Sequence, residues 1–169
     1  SGRLMEEYSD GEIAPFGSVI LEALSYLGMG ERRLDQAVTH EQFQKAHGQL
    51  MENRQIDIDF KKIVQECWRT YIPEAGEPGT LEQKRGELLQ WFGGEGTVGS
   101  YRKKFGVSKM VNRQNAKLML QSLAGFVHLA GYSGLMIMFD EAEQAYSVMR
   151  KAALHDAHNN LLSTINNID

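Results

Sequence analysis

Apolar residues recur at helical spacing through most of this chain, and this periodicity limits the possible fold more than any other feature. Residues three, four and seven apart lie on one face of an α-helix, so such a pattern predicts an amphipathic helix. The stretch that follows Asp57 shows it most clearly. The predicted helices carry apolar stripes over residues 16–27, 43–50, 60–71, 81–92, 119–130, 145–152 and 154–168. The sequence therefore predicts a mainly α fold, a multi-helix bundle.

Several helix ends can be read from local signals. Pro15 occupies a position typical of a first helical residue, and Thr39 and Thr80 each begin a T-x-x-Q pattern. That pattern is a capping box, in which the Thr and Gln side chains bind the free N–H groups of the first turn. Glycines stop helices because they adopt left-handed backbone conformations without cost. The glycines predicted to stop helices are Gly28, Gly30 and Gly131.

The chain contains one convincing β-strand pattern, at residues 135–139. Gly134 precedes five apolar residues, and Asp140 follows them. A strand that is apolar on both faces belongs in the middle of a covered sheet, where neighbouring strands satisfy its N–H and C=O groups. The sequence offers no second strand of this quality, so a partner chain or a larger α/β domain must supply one. We favour the larger domain, which makes this chain a fragment.

Composition and charge exclude several classes of protein. Hydrophobic residues make up 42% and charged residues 24%, as in ordinary globular domains. The net charge of −4 argues against a protein coated with nucleic acid. The single cysteine, Cys67, excludes an internal disulfide and a zinc site built from cysteines, and fits a reducing cytoplasm. Its place on an apolar stripe beside Trp68 indicates a core residue rather than a nucleophile. No apolar run reaches the roughly 20 residues of a membrane helix.

The predicted strand ends in two adjacent acids, Asp140 and Glu141. Apolar residues followed by Asp-Glu form the Walker B pattern of P-loop ATPases, in which a buried strand brings a carboxylate to the nucleotide. Asp140 would hold Mg²⁺ through water, and Glu141 would orient and polarise the attacking water. The alternative is structural: a core strand followed by acids that cap a helix.

A Walker A motif, G-x-x-x-x-G-K-[ST], is missing from these 169 residues. The nearest match begins at Gly94, but Ser100 and Tyr101 stand where Lys and Ser/Thr are required. The same stretch also fits G-x-G-x-x-G. Both matches follow a predicted helix rather than a strand, so we interpret residues 93–99 as a flexible connection.

Basic residues are concentrated in one interval. Residues 97–138 contain no Asp or Glu. The six cationic residues in this interval are Arg102, Lys103, Lys104, Lys109, Arg113 and Lys117. Tyr101 and Phe105 bracket the first three, an arrangement able to hold a phosphate backbone and stack on bases. A solvated helix face or a surface for an acidic partner protein explains the same pattern.

Several short motifs in the second half are shared with a known family. They are Trp91-Phe92-Gly93-Gly94-Glu95, Phe105-Gly106-Val107, Asn115 at the start of a long helix, Gly131-Tyr132-Ser133-Gly134-Leu135 leading into Met138-Phe139-Asp140-Glu141-Ala142-Glu143, and Asn160-Leu161-Leu162 near the end. Through them, residues from about 88 to 169 resemble the P-loop ATP-binding proteins of BREX-type bacterial phage-defence systems.

The resemblance implies an ATPase related to AAA-type and other P-loop machines, with ATP and Mg²⁺ as cofactors of the full-length protein. Asp140 and Glu141 would form its Walker B pair. The Walker A loop is then expected before Ser1, and a strand with a polar sensor residue after Asp169. The chain would be an internal fragment of a P-loop α/β ATPase domain, inactive alone and with no tightly bound nucleotide. We expect a helical region at residues 1–92 and a Walker B part at 93–169, in one compact unit.

Two other functions stay open. In a helical protein–protein interaction module, Asp140 and Glu141 only cap a helix and the basic interval binds a partner, such as another defence protein. In a DNA-binding adaptor, residues 102–117 contact the phosphate backbone. Assembly into a homo-oligomer is also open, since many P-loop ATPases complete their sites between subunits. All three functions fit a cytoplasmic protein without a membrane anchor.

Overall fold

The computed structural model describes residues 15–32, 38–72 and 76–136, and these contain six α-helices and no β-strand. In chain order the helices are α1 (Pro15–Met29), α2 (His40–Glu52), α3 (Ile58–Arg69), α4 (Pro78–Phe92), α5 (Val98–Phe105) and α6 (Ala116–Leu129). The predicted mainly α character is therefore confirmed for the described part of the chain.

One apolar core joins the helices, and Trp68 of α3 lies within it. The indole ring is fully buried, and its N–H donates to the carbonyl oxygen of Ile20 in α1 at 2.7 Å. The ring of Phe126 in α6 lies 6.4 Å from it, between centroids. Because the buried N–H of the indole has a partner, the ring contributes its large apolar area without leaving a buried donor unsatisfied.

Helices α1 and α2 pack closely at Gly28. A Cβ atom on Gly28 would lie 3.0 Å from the carbonyl oxygen of Gln42, which is tighter than ordinary van der Waals contact. Gly28 is inside α1, so the prediction that it stops the helix is wrong. Gly30, with φ of +83°, follows the last residue of α1, as predicted. Gly28 serves close helix packing instead.

The helix starts show where local signals succeed and where they fail. The Thr39 capping box is confirmed, with both of its reciprocal hydrogen bonds present. The capping box predicted at Thr80 is wrong, because α4 begins two residues earlier at Pro78, with Glu77 as its N-cap. Proline is favoured at the first helical position, where its fixed φ fits and no N–H is needed.

Residues 93–99 are not a simple linker. Thr97 caps α5 through its side chain, which accepts from the amide of Ser100, and α5 starts at Val98. This short helix is absent from the sequence prediction. Gly94 takes a φ of +74°, and a Cβ atom there would lie 2.6 Å from the carbonyl oxygen of Val111. The glycine therefore allows a close backbone contact between two loops.

The predicted strand at residues 135–139 is not seen. Leu135 and Met136 are described and lie outside any strand, while the other three residues are outside the described part. The described helices belong to one compact unit that ends at Ser133, and Gly134 begins a second. The division at residue 92 stays a prediction. Among the described helices, none is both long and apolar enough to cross a bilayer.

Candidate functional site

The predicted catalytic acids, Asp140 and Glu141, lie outside the described residues. The structure does describe the chain that leads towards them, from the end of α6 to Met136. In the rest of the described chain, no group of three or more His, Cys, Asp or Glu side chains is placed to hold a metal ion. The site is therefore built from the segment before the acids and from the motifs shared with the family.

Helix α6 ends in a Schellman motif at Gly131. The amide of Gly131 donates to the carbonyl of His128, and the amide of Tyr132 donates to that of Val127. This pairing needs a left-handed residue at the turn, and Gly131 has a φ of +77°. The predicted helix end is confirmed. The glycine also lies against α1, since a Cβ atom on it would come within 2.4 Å of Tyr26 Cζ.

Two charged residues hold Tyr132 in place. The phenol donates a hydrogen bond to the Glu22 carboxylate of α1. The Arg32 guanidinium carbon lies 3.9 Å from the centroid of the Tyr132 ring, and the same guanidinium donates to the carbonyl of Gly131. We call Glu22, Arg32, Gly131 and Tyr132 the Tyr132 clasp.

The electrostatics of the Tyr132 clasp favour a protonated phenol. Burial, the hydrogen bond to Glu22 and the charge of Glu22 raise the pKa of Tyr132 to about 12, against an opposing effect of Arg32. At neutral pH the tyrosine therefore remains protonated and donates its hydrogen bond to Glu22. A phenol bonded to a carboxylate makes a stronger hydrogen bond than one between neutral groups.

Residues from two of the shared motifs, Trp91 and Gly106, lie near the buried Asp59 of α3 and the loop that it binds. This carboxylate is fully buried, and one of its oxygens accepts from Ser108 N at 2.9 Å, Ser108 Oγ at 2.6 Å and Lys109 N at 3.1 Å. Trp91, from the motif at residues 91–95, donates its indole N–H to Lys109 O at 3.0 Å. Lys62 donates to Gly106 O at 2.6 Å. Side chains from α3 and α4 thus fix the loop between α5 and α6.

The pKa of Asp59 reflects these contacts. Burial would raise it, but the hydrogen bonds from Ser108 and the contact with Lys62 outweigh burial, and the pKa is lowered. The carboxylate is therefore charged at neutral pH, and all its described contacts are internal donors. Such an arrangement is typical of a structural centre rather than a catalytic acid.

The glycine-rich stretch at residues 94–101, which partly matches a phosphate-binding loop, has a structural role. Gly96 adopts a φ of +94°, and a Cβ atom on it would lie 2.8 Å from the Tyr101 ring. Tyr101 is only 3% exposed, and its hydroxyl donates to the carbonyl of Glu87 at 2.6 Å. Tyr101 is therefore unavailable to stack on a base. The glycines let the chain turn closely around this buried ring.

Three of the six cationic residues predicted as a patch bind other groups of the protein. Lys104 pairs with the carboxylate of Glu87, and Lys109 Nζ lies 2.6 Å from Asp57 Oδ2. Arg102 Nη2 donates to Ser108 O at 3.4 Å.

The other three cations of the patch also differ in their contacts. Lys117 also has an interaction partner. Lys103 and Arg113 are exposed and have no ion pair with another described residue. Nucleic-acid binding by this patch stays a prediction, and internal ion pairs reduce the charge that could carry it.

An apolar pocket of about 340 Å³ opens between the helices. Its lining residues are Phe16, Phe60, Phe92, Val111, Ala116, Met119, Leu120 and Leu123. All are apolar, so the pocket offers no side-chain donor for a phosphate. Cys67 is buried elsewhere in the core, where burial and then the charge of Glu66 raise its pKa to about 12. Its predicted core role is confirmed, and its thiol is not activated.

Comparison with known proteins identifies the family. The family model described as "BREX system ATP-binding protein BrxC/D" matches residues 22–169. The chain belongs to this family. None of the curated proteins and none of the solved structures matches it. The family match begins at Glu22 of the Tyr132 clasp and includes Asp140 and Glu141.

The BREX family match extends the predicted resemblance far upstream. Residue 88 was its expected start, whereas the match includes most of α1 and all of α2 and α3. No local pattern in the sequence marks Glu22 or Arg32, which lie 110 and 99 residues from their partners at the end of α6. The sequence gives one weak signal for Asp59, since Asp57 and Asp59 form an Asp-x-Asp pair at a helix start. Helix capping explains that pair equally well.

Proposed function

We propose that this chain carries the acidic half of a nucleotide site in an ATP-hydrolysing P-loop protein of a BREX phage-defence system. The observation that carries the proposal is the family match, which begins in α1 and runs through Asp140 and Glu141. The family is named for ATP binding. An apolar run followed by Asp-Glu is the one pattern within the match that fits nucleotide chemistry.

The two acids have different tasks in this proposal. Asp140 would hold Mg²⁺ through water, and Glu141 would accept a hydrogen bond from the attacking water and orient it towards the γ-phosphate. The donor chemistry fits, because Mg²⁺ prefers oxygen ligands such as carboxylates and keeps several of its waters. The metal supplies charge neutralisation on the phosphates when bound. Glu143, two residues further on, has no assigned role.

The lysine and glycines of a Walker A loop come, in this proposal, from residues outside the 169. This is supported by the glycine-rich stretch at residues 93–101, whose residues have structural roles that leave no phosphate-binding loop there. Gly94 and Gly96 make close contacts, and Tyr101 is buried where a Ser or Thr would have to reach the metal. We therefore expect the chain alone to hydrolyse no ATP. In the full-length protein, hydrolysis would drive a conformational change that acts on other defence components.

The test uses the natural protein that contains these residues. Steady-state ATP hydrolysis with Mg²⁺ is compared among the wild type, Glu141→Gln, Asp140→Asn and Glu143→Gln, the last as a matched control on a neighbouring acid. We expect at least a tenfold loss for Glu141→Gln and Asp140→Asn, and less than a twofold change for Glu143→Gln. A wild type that does not hydrolyse ATP, or a Glu141→Gln variant with an unchanged rate, would refute the proposal.

A further inference from the structure

The apolar pocket between the helices has a preformed aromatic wall. Phe92 of α4 meets Phe16 of α1 edge to face, with ring centroids 4.7 Å apart, and meets Phe60 of α3 in the same way at 5.1 Å. Such pairs are a favoured arrangement of aromatic rings, so the three rings hold one another in place. Helix α6 contributes one face, with lining residues at Ala116, Met119, Leu120 and Leu123.

The chemistry of the pocket favours a protein partner over a small molecule. Its eight lining residues have no side chain that forms hydrogen bonds. Pockets for small ligands usually combine apolar walls with a few polar groups that fix the orientation of the ligand. An apolar pocket with charged residues around it is typical of a protein interface, where a large apolar side chain of the partner fills the pocket.

An ordered turn forms one edge of the apolar pocket. Val111 and Ala116 both line the pocket, and the four residues between them form this turn. The amide of Asn112 donates to Asn115 Oδ1 at 2.9 Å, and the amide of Asn115 donates to Asn112 O at 3.2 Å. Arg113 lies in the turn, is exposed, and has no ion pair with another described residue. A fixed backbone therefore presents this cation beside the pocket.

The charge around the apolar pocket favours an acidic partner. Among the described residues within three positions of a lining residue, the cations are Lys61, Lys62, Lys109, Arg113 and Lys117, and the acids are Asp57, Asp59 and Glu95. Asp57 and Asp59 each pair with one of these lysines, so cations remain in excess. The first turn of α6, which begins at Ala116, contains no acid. The positive end of its helix dipole therefore adds to the charge at this edge.

We propose that the apolar pocket is a docking site for an acidic amphipathic helix of a partner protein. Apolar side chains on one face of that helix fill the pocket, and its acidic side chains lie near Arg113 and the start of α6. A helix is the fitting form, because the described part of the chain has no sheet edge to which an extended segment could add. The proposal does not depend on nucleotide chemistry, so it stands or falls separately from the proposed function.

The probes are three synthetic peptides of equal length, added to the natural protein that contains these residues. The first is a helix-forming peptide with leucines at positions i, i+3, i+4 and i+7 and glutamates on its polar face. The second has lysine in place of each glutamate, and the third has alanine in place of each leucine. Fluorescence anisotropy measures the Kd of each peptide at low and at high salt.

Two variants test the two parts of the docking site. Arg113→Glu reverses the charge at the edge of the pocket, and Ala116→Phe places a ring at its opening. The matched control is Lys103→Glu, which makes the same charge change at an exposed residue of α5, a helix that contributes no lining residue. Melting temperatures show whether each variant is folded. Arg113→Glu carries the test alone if Ala116→Phe is destabilised.

We expect the acidic leucine peptide to bind about tenfold or more tightly than either other peptide, and less tightly at high salt. Arg113→Glu and Ala116→Phe should each weaken its binding about fivefold or more, whereas Lys103→Glu should change it less than about twofold. Absence of binding, equal binding of the acidic and basic peptides, or equal losses in Arg113→Glu and Lys103→Glu would overturn the proposal. Self-association of the protein that is lost in Ala116→Phe, measured by analytical ultracentrifugation, would assign the pocket to a second copy and overturn it too.

Discussion

The buried carboxylate of Asp59 gives the sharpest test of how the helical unit is held together. Its oxygen Oδ2 accepts from two backbone amides and a hydroxyl of the loop between α5 and α6, and Oδ1 lies 3.4 Å from Lys62 Nζ. Asp59→Ala removes all of these acceptors. Asp59→Asn retains one acceptor oxygen for the loop and places an amide nitrogen near the Lys62 cation.

The magnitude follows from the donors that are left without a partner. Ser108 Oγ and Lys62 can turn to water, whereas the amides of Ser108 and Lys109 are partly buried and fixed. An unsatisfied buried donor costs about 1–3 kcal/mol, so Asp59→Ala should lower the free energy of unfolding by about 2–4 kcal/mol. Asp59→Asn should cost about 1–2 kcal/mol. These are large effects, because the whole free energy of unfolding of a typical domain is only about 5–15 kcal/mol.

Urea unfolding of the chain measures these differences. With a slope of about 2 kcal/mol per molar urea, Asp59→Ala should move the midpoint down by about 1–2 M. Glu82→Ala, at an exposed site on α4, is the matched control and should change the free energy by less than about 0.5 kcal/mol. A cost below 1 kcal/mol for Asp59→Ala, or equal costs for Ala and Asn, would refute the reasoning.

Three further outcomes follow from described contacts. Gly131→Ala should cost about 1–3 kcal/mol or more in urea unfolding, because φ is +77° and the new Cβ would meet the Tyr26 ring; a neutral effect would contradict that geometry. Thr39→Ala should cost about 1 kcal/mol by the same assay through loss of the α2 cap, and an unchanged midpoint would argue against the cap. Because the pKa of Asp59 is lowered in the folded state, its stabilisation is complete above its ordinary pKa of 3.8 and is lost as the pH falls through the folded value. Melting temperatures should therefore fall more steeply below about pH 4 in the wild type than in Asp59→Asn.

Local signals predicted the helix ends correctly where a single residue determines the backbone conformation. Thr39 caps α2 because its hydroxyl reaches a free amide, and Gly131 ends α6 because the turn needs a positive φ. At α4 two signals competed, and proline at Pro78 prevailed over Thr80. The eight residues of α5 include a glycine and show only a short apolar pattern, so its existence depends on packing of Tyr101 that the sequence does not reveal.

The candidate site was predictable only in part, because its contacts are far apart in sequence. The acidic pair is visible as a motif, and its use stays a prediction. The partners of Tyr132 are over 95 residues away along the chain, and the loop residues that donate to Asp59 are about 50 residues away. Counting charges along the sequence likewise placed Lys104 and Lys109 in a basic patch. In the folded protein, both side chains pair with acids. Such pairings arise from the fold as a whole rather than from local spacing.

The most direct test of the central claim follows the fate of one bound nucleotide. The natural protein and its Glu141→Gln variant are each incubated with ATP and Mg²⁺, separated from free nucleotide, and the retained nucleotide is identified. The account predicts ADP or no nucleotide on the wild type and intact ATP on the variant, because the proposed task of Glu141 is to orient the attacking water and not to bind the nucleotide. Equal conversion to ADP by both proteins, or no retention by either, would contradict it.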